Sequence, residues 1–210
     1  MKYRELLDSI GRRPVFVSSL LRAGDVDEVD LGRQLSRWVV SGKLLQLRRG
    51  VYALPEAFQS RAPHPFEVAN LLERPSYVSL ESALSYHGVI PEAVFVTTSV
   101  TTARAGEFDT PLGRYGYRHV GPALFWGYAT APIGGADVLV ARPEKALLDL
   151  VHLRPGADRL LFLEGLRLDV GRLDQQVLDD MARRSARPKL VRAAANVARL
   201  REAHGEWEAL

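Results

Sequence analysis

The sequence predicts an α+β protein of two domains, a small N-terminal one and a larger mixed one that ends in helices. Three observations support this. Helical spacing and short apolar runs alternate over residues 1–54, β-rich segments with glycine and proline fill residues 93–132, and amphipathic helical patterns occupy residues 158–207. With 210 residues, 47% hydrophobic and 25% charged, the chain has the composition of a globular protein that buries a core.

The first segments predict a helix, a short strand and a second helix. KYRELLDSIG places apolar residues at helical spacing and is followed by Gly11, a helix-ending residue. Pro14 prevents continuation of this helix, and VFV suits a strand. Ser18 or Ser19 then caps a second helix, which ends at Gly24.

A third helix and a hairpin complete the small domain. Asp25 and Asp27 are cap candidates for this helix, and Gly42 ends it. Its apolar stripe consists of Leu31, Leu35, Trp38 and Val39. In LLQLRRGVYALP, two apolar runs flank RRG, which predicts a β-hairpin. The order of these elements is that of a winged helix-turn-helix, so residues 1–54 are predicted to be a DNA-binding domain.

Polar side chains on the third helix and hairpin are the candidate DNA contacts. If the apolar stripe faces the core, Arg33, Gln34, Ser36 and Arg37 face outward and can reach base edges in a major groove. The hairpin tip and the helix ends supply phosphate contacts. The full predicted set is Ser18, Ser19, Arg33, Gln34, Ser36, Arg37, Lys43, Arg48 and Arg49.

The charge distribution agrees with this prediction but leaves an alternative open. Residues 1–60 carry 10 Lys/Arg against 7 Asp/Glu, whereas residues 61–210 carry 18 of each, so the net charge of +3 comes from the first 60. Acidic residues crowd the start of the third helix, namely Asp25, Asp27, Glu28 and Asp30. They stabilise the helix N-terminus but oppose phosphate. A winged helix that makes only protein contacts therefore stays an alternative.

The rest of the chain predicts a linker over residues 55–65 and an α+β domain over residues 66–210. PFEVANLLERP is a helical pattern, and three β-rich stretches follow, namely AVFVTTSVTTAR, EFDTPLGRYGYRHV and ALFWGYATAP. APIGGADV predicts a turn between strands. A strand and a helix from Pro143 come next, and three amphipathic helices end the domain.

The stretch YVSLESALSYHGVIPE holds serines, glutamates and a histidine, the residue types of a hydrolytic site. The pattern favours a helix with its caps: Ser79 at the N-cap, Gly88 after the C-terminus and Pro91 beyond it. No strained G-x-S-x-G turn is present. His87 ends the apolar stripe and is therefore interpreted as a hydrogen-bonded packing residue.

No other catalytic, metal or cofactor pattern is found, so the chain is not predicted to be an enzyme. The five histidines are scattered, cysteine is absent, and no phosphate-binding glycine motif occurs. Arg104, Arg114 and Arg118 are a possible second basic face, or else cross-strand partners of Glu107 and Asp109. Without a membrane-spanning apolar run, signal peptide or cysteine, the chain is expected to be cytoplasmic.

Several motifs resemble one family. YVSLESALSYHGVIPE, TTSVTTARAGEFDTPLGRYGYRHV, LFWGY and ARPEKALLDLVHLRP, with LQLRRGVYALP near the N-terminus, look like the AbiEi antitoxins of type IV abortive-infection toxin–antitoxin systems. The resemblance covers nearly the whole chain. It implies a winged helix that represses its own operon through inverted repeats in the promoter DNA. It also implies a C-terminal domain that counteracts a nucleotidyltransferase toxin.

Under the resemblance, the DNA-reading positions are Arg33, Gln34 and Arg37 of the helix and Arg48 and Arg49 of the wing. Two other classes of function stay open. One is a stand-alone winged-helix regulator whose C-terminal domain senses a ligand or a protein. The other is a nucleic-acid-modifying enzyme with a carboxylate site within residues 62–210.

Overall fold

A computed structural model of the chain describes residues 1–21 and 27–208, apart from the side chains of 204–208. Its architecture is α+β, as predicted, with a three-stranded sheet, a six-stranded sheet and helices that cover both. Among the described residues, no helix is at once long and apolar enough to cross a membrane.

The first elements follow the predicted order, with one difference. They are α1 (Tyr3–Ser9), β1 (Val15–Val17), α2 (Glu28–Val40), β2 (Leu45–Arg48) and β3 (Val51–Ala53). Where a second helix was predicted, the structure has a 3₁₀ turn over Ser18–Leu21. The predicted helix end at Gly24 and the cap candidate Asp25 lie outside the described residues.

The small sheet is packed on both faces. β3 lies between β1 and β2, antiparallel to each, with Phe16 opposite Tyr52 and Val15 opposite Ala53. Because successive side chains of a strand point to opposite faces, these two pairs serve different cores. Phe16 and Tyr52 pack with α1 and α2, whereas Val15 and Ala53 belong to the core of the larger domain. The sheet therefore joins the two hydrophobic cores.

The elements after residue 64 confirm the predicted strand-rich middle and helical end of the chain. The helices of this part are α3 (Pro65–Leu72), α4 (Leu80–Tyr86), α5 (Pro143–Leu153), α6 (Leu160–Gly165), α7 (Gln175–Arg184) and α8 (Pro188–Glu208). The strands of this part are β4 (Ser76–Val78), β5 (Val96–Thr101), β6 (Gly106–Thr110), β7 (Gly113–His119), β8 (Tyr128–Ile133) and β9 (Ala136–Ala141). The predicted glycine turn joins β8 to β9, and Gly134 and Gly135 there have positive φ angles.

The large sheet has helices on both faces. Its strand order is β6-β7-β5-β4-β9-β8, with β5–β7 and β4–β9 parallel and the other pairs antiparallel. Tyr117 donates a hydrogen bond to the Ala69 carbonyl of α3 at 2.6 Å. Thr98 donates to the Ser79 carbonyl, next to α4, at 2.9 Å. Thr98 is paired with Gly116, so Thr98 and Tyr117 point to opposite faces, with α3 on one side and α4 on the other.

The segment between the two predicted domains is bound to the larger one. A 3₁₀ turn covers Glu56–Phe58, and Arg61 makes two 2.7 Å hydrogen bonds to the Glu67 carboxylate of α3. His64 caps α3, because its Nδ1 accepts a hydrogen bond from the Phe66 amide at 3.1 Å. Residues 55–65 thus have specific contacts with the start of the larger domain.

The stretch that begins at Tyr77 is a strand followed by a helix, and one detail of the prediction, the cap bond of Ser79, is wrong. Ser79 holds the N-cap position of α4, but its hydroxyl makes no cap bond and donates to Asp149 at 2.8 Å. Gly88 has φ +70° after the helix, as expected of a C-terminal glycine. His87 Nε2 lies 2.8 Å from the Ala141 carbonyl, which confirms a hydrogen-bonded packing residue.

Candidate nucleic-acid interface

The amphipathic helix α2 presents the predicted polar face to solvent. Asp27 begins it, since its carboxylate accepts hydrogen bonds from the Val29 and Asp30 amides at 2.7 and 3.1 Å. The inward residues Leu31, Leu35 and Trp38 are all buried. Burial of these three side chains fixes the rotation of the helix about its axis. In the part of the chain that the structure describes, the opposite face of the helix is exposed to solvent.

The predicted outward residues of α2 differ in exposure. Arg33, Ser36 and Arg37 are exposed, whereas Gln34 is half-buried at the side of the helix. Arg33 Nη1 lies 3.2 Å from the Asp30 carboxylate, and both side chains of this pair are more than half exposed. An exposed pair of this kind is worth little to stability, so Arg33 can exchange it for a phosphate or a base edge at small cost.

The two arginines of the hairpin turn have different roles. Arg49 is exposed at the turn, next to Gly50, whose φ is +82°. Arg48 instead bonds Glu73 at 2.8 Å and the Leu72 carbonyl, and its guanidinium lies 5.1 Å from the centroid of the Phe108 ring. The expectation that both project from the tip is wrong for Arg48, because the larger domain supplies partners that the hairpin sequence does not reveal.

The remaining predicted contacts lie around α2 and the turn. Lys43 is exposed after the helix, with its Nζ 5.6 Å from the Tyr3 ring centroid. Ser18 is half-buried, and its amide donates to the Gly50 carbonyl at 2.8 Å. Ser19 is exposed beside it. A shallow hollow of about 400 Å³ includes Ser18, Arg49 and part of α2, so the turn and the helix border one surface.

The three arginines of the possible second basic face, Arg104, Arg114 and Arg118, are exposed. Arg114 and Arg118, however, lie on the face of β7 that points away from the β2–β3 hairpin. Phe108 contacts Arg48 on one face of β6, so Glu107 points to the opposite face. Arg118 Nη2 donates to Glu107 at 3.1 Å, and Arg114 is paired in register with Asp109. Arg118 is therefore a cross-strand partner of Glu107, as the alternative interpretation predicted. The side chains of Arg114 and Arg118 face away from the β2–β3 hairpin.

A buried polar network in the larger domain was not predicted. Lys145 and Asp149, one turn apart on α5, form an ion pair whose side chains are each 3% exposed. Tyr77 and Ser79 donate to Asp149 at 2.9 and 2.8 Å, and Lys145 donates to the Tyr77 hydroxyl at 3.0 Å. Burial lowers the pKa of Lys145 and raises those of Asp149 and Tyr77, because desolvation disfavours each charged form.

The network is closed rather than accessible. The Lys145 stem packs against Gly127, where an added Cβ would lie 2.9 Å from the lysine Cγ. Its Nζ lies 5.2 Å from the Trp126 ring centroid, and Arg184 covers the same ring at 4.4 Å. With every polar group of the network bonded and its cation covered, this arrangement serves packing and specificity of the fold.

A second feature that the sequence did not reveal is a groove of about 710 Å³ beside α4, α5 and β5. Leu80, Ile90 and Leu150 contribute to an apolar lining, and charged residues such as Arg154 and Glu81, which are paired, stand at its edge. Phe95 also lines it and is 86% exposed. Exposed aromatic surface beside an apolar groove is typical of sites that bind proteins or ligands.

No group of three or more His, Cys, Asp or Glu residues placed to hold a metal ion occurs in the described ranges. Comparison of the chain with protein-family models and with curated proteins returns no match.

Proposed function

We propose that residues 1–54 form a winged helix that binds duplex DNA, with α2 in the major groove and the β2–β3 turn against the backbone. The observation that carries this proposal is the orientation of α2. Its apolar stripe is buried, so Arg33, Ser36 and Arg37 project into solvent, and Arg49 of the turn borders the Gly32 side of the same helix. Arginine and serine on one exposed helix face are suited to base edges and phosphates.

The acidic first turn of α2 is compatible with this arrangement. The Asp27 carboxylate is engaged by amides of its own helix, and Asp30 is paired with Arg33. These bonds reduce the repulsion that free carboxylates would exert on phosphate. The basic residues Arg37, Lys43 and Arg49 then face the DNA from the C-terminal half of the helix and the turn.

In the same proposal, the chain represses transcription from its own promoter. The experiment is a promoter–reporter assay in cells, with mobility shifts of the promoter duplex by purified protein. Arg33→Ala and Arg37→Ala should each weaken binding by about 1–3 kcal/mol if the side chain is bidentate to guanine. Arg114→Ala is the control, since it removes an exposed arginine from the other domain. Full repression by a folded Arg33→Ala/Arg37→Ala variant would refute the assignment.

On the resemblance to AbiEi antitoxins, we also propose that the larger domain counteracts a nucleotidyltransferase toxin. The specific observation that favours a protein contact there is the groove with the exposed Phe95. Co-expression with a nucleotidyltransferase encoded beside this gene, scored by cell growth, is the test. The full chain should restore growth, and the Arg33→Ala/Arg37→Ala variant should do so without repression. No rescue by the full chain would favour the stand-alone regulator.

A further inference from the structure

The outermost line of α2 contains apolar as well as basic residues. With about 3.6 residues per turn, positions 29, 33, 36 and 40 lie almost directly above one another on a helix. In α2 these are Val29, Arg33, Ser36 and Val40, all exposed and opposite the buried Leu35 side. Val40 is 89% exposed, and Val29 is 60% exposed.

The two valines have different electrostatic surroundings. Val29 lies in the acidic first turn, between Glu28 and Asp30. Val40 is one turn from Arg37 and three residues before Lys43, at the basic end of the helix. A polyanion that contacts α2 will therefore approach Val40 more closely than Val29.

Gly32 leaves the side of α2 that faces the hairpin turn without a side chain. Among the described residues, a Cβ at this position would meet nothing within 4 Å, and its φ is not positive. Glycine inside a helix costs about 1 kcal/mol relative to alanine. Since nothing within the described molecule requires glycine here, the open space suits a close approach from outside the protein.

We propose that Val40 reads sequence by contact with the C5 methyl group of thymine in the major groove. This inference rests on the proposed DNA binding and names one of its specificity determinants. Among the groups on base edges in the major groove, the thymine methyl is the apolar one, and apolar side chains contact it. Arg37 and Lys43, which flank Val40 along the chain, supply the charge complementarity that selects DNA as the occupant of this surface.

The test uses the full chain and duplexes selected from a random-sequence library by the wild-type protein. Each thymine of the selected site is then replaced singly by deoxyuridine, which removes only the C5 methyl. We expect one replacement to weaken wild-type binding about fourfold, the value of one buried methyl-sized group. In Val40→Ala, whose shorter side chain loses most of this contact, the same replacement should have a clearly smaller effect. Val29→Ala, the matched exposed valine, should retain the full fourfold effect.

The possible failures can be told apart. If the wild type selects no sequence, the proposed DNA binding and this inference both fail. If it selects a sequence but every deoxyuridine duplex binds as well as its thymine parent, only the role of Val40 is refuted. An unchanged fourfold effect in Val40→Ala also refutes it. The role is also refuted if Val40→Ala dissociates an oligomer in sedimentation and the thymine methyl group still contributes its fourfold effect. Val40 would then contact a second copy of the chain.

Discussion

Helices α2 and α5 place their charged side chains in opposite ways. On α2 the arginines are exposed to solvent, and the ion pair between Arg33 and Asp30 is exposed as well. On α5 the pair Lys145–Asp149 is almost wholly buried and bonded to Tyr77. A charge that folding does not use can serve recognition, whereas a buried and saturated charge serves the fold. This contrast supports the proposal that the DNA-contacting surface lies on α2 and the β2–β3 turn.

The largest effect is expected when the buried ion pair between Lys145 and Asp149 is broken. Lys145→Met should destabilise the protein by about 3–5 kcal/mol, because it leaves Asp149 buried without its cation. Urea unfolding followed by circular dichroism measures the loss. The double variant Lys145→Met/Asp149→Leu should be clearly more stable than the single one. A Lys145→Met variant with wild-type stability would show that the pair does not hold this core together.

Adjacent arginines of the hairpin give a second test within one turn. Arg48→Ala should lower the free energy of unfolding by about 1 kcal/mol, since it loses hydrogen bonds to Glu73 and the Leu72 carbonyl. Arg49→Ala should leave stability unchanged and reduce the slope of DNA affinity against salt by about 1. Denaturation and anisotropy titrations of both variants measure these quantities. Equal stability losses would contradict the separate roles assigned to the two side chains.

A smaller effect concerns the histidine between the domains. Burial lowers the pKa of His64, whose neutral Nδ1 caps α3. The His64 imidazole therefore takes up a proton at a higher pH in the unfolded chain than in the folded one. The contribution to stability is present above about pH 6.5 and is lost as the pH falls below it. His64→Asn keeps a capping side chain without the titration, so stability should fall less between pH 7.5 and 5.5. An identical fall in both proteins would contradict the prediction.

Most elements could be predicted because their local signals agree with their environment. The stripe of Leu31, Leu35 and Trp38 fixes α2, and its burial confirms the predicted face. Pro143 and the apolar run after it likewise fix α5. The role of Arg48 could not be predicted, since its partner Glu73 lies 25 residues away and is brought near only by packing of the two domains.

The buried network shows a signal that sequence reasoning can use. In PEKALLDLVHL, Lys145 and Asp149 are four residues apart within a helix whose other central residues are nearly all apolar. Charges at that spacing on a helix buried all round must pair with each other. The hydroxyl of Ser79, in contrast, has a local alternative as a helix cap, and only the fold shows that it donates to Asp149 instead.

The most direct test of the central claim compares two triple variants by fluorescence anisotropy with a promoter duplex over a range of salt. One is Arg33→Ala/Arg37→Ala/Arg49→Ala, and the other, with the same loss of charge, is Arg104→Ala/Arg114→Ala/Arg118→Ala. The first should lose at least about tenfold in affinity and flatten the salt dependence, because phosphate and base contacts are removed. The second should bind nearly as the wild type does. Equal losses in both, or wild-type binding by a folded first variant, would contradict the assignment of DNA recognition to α2 and the hairpin turn.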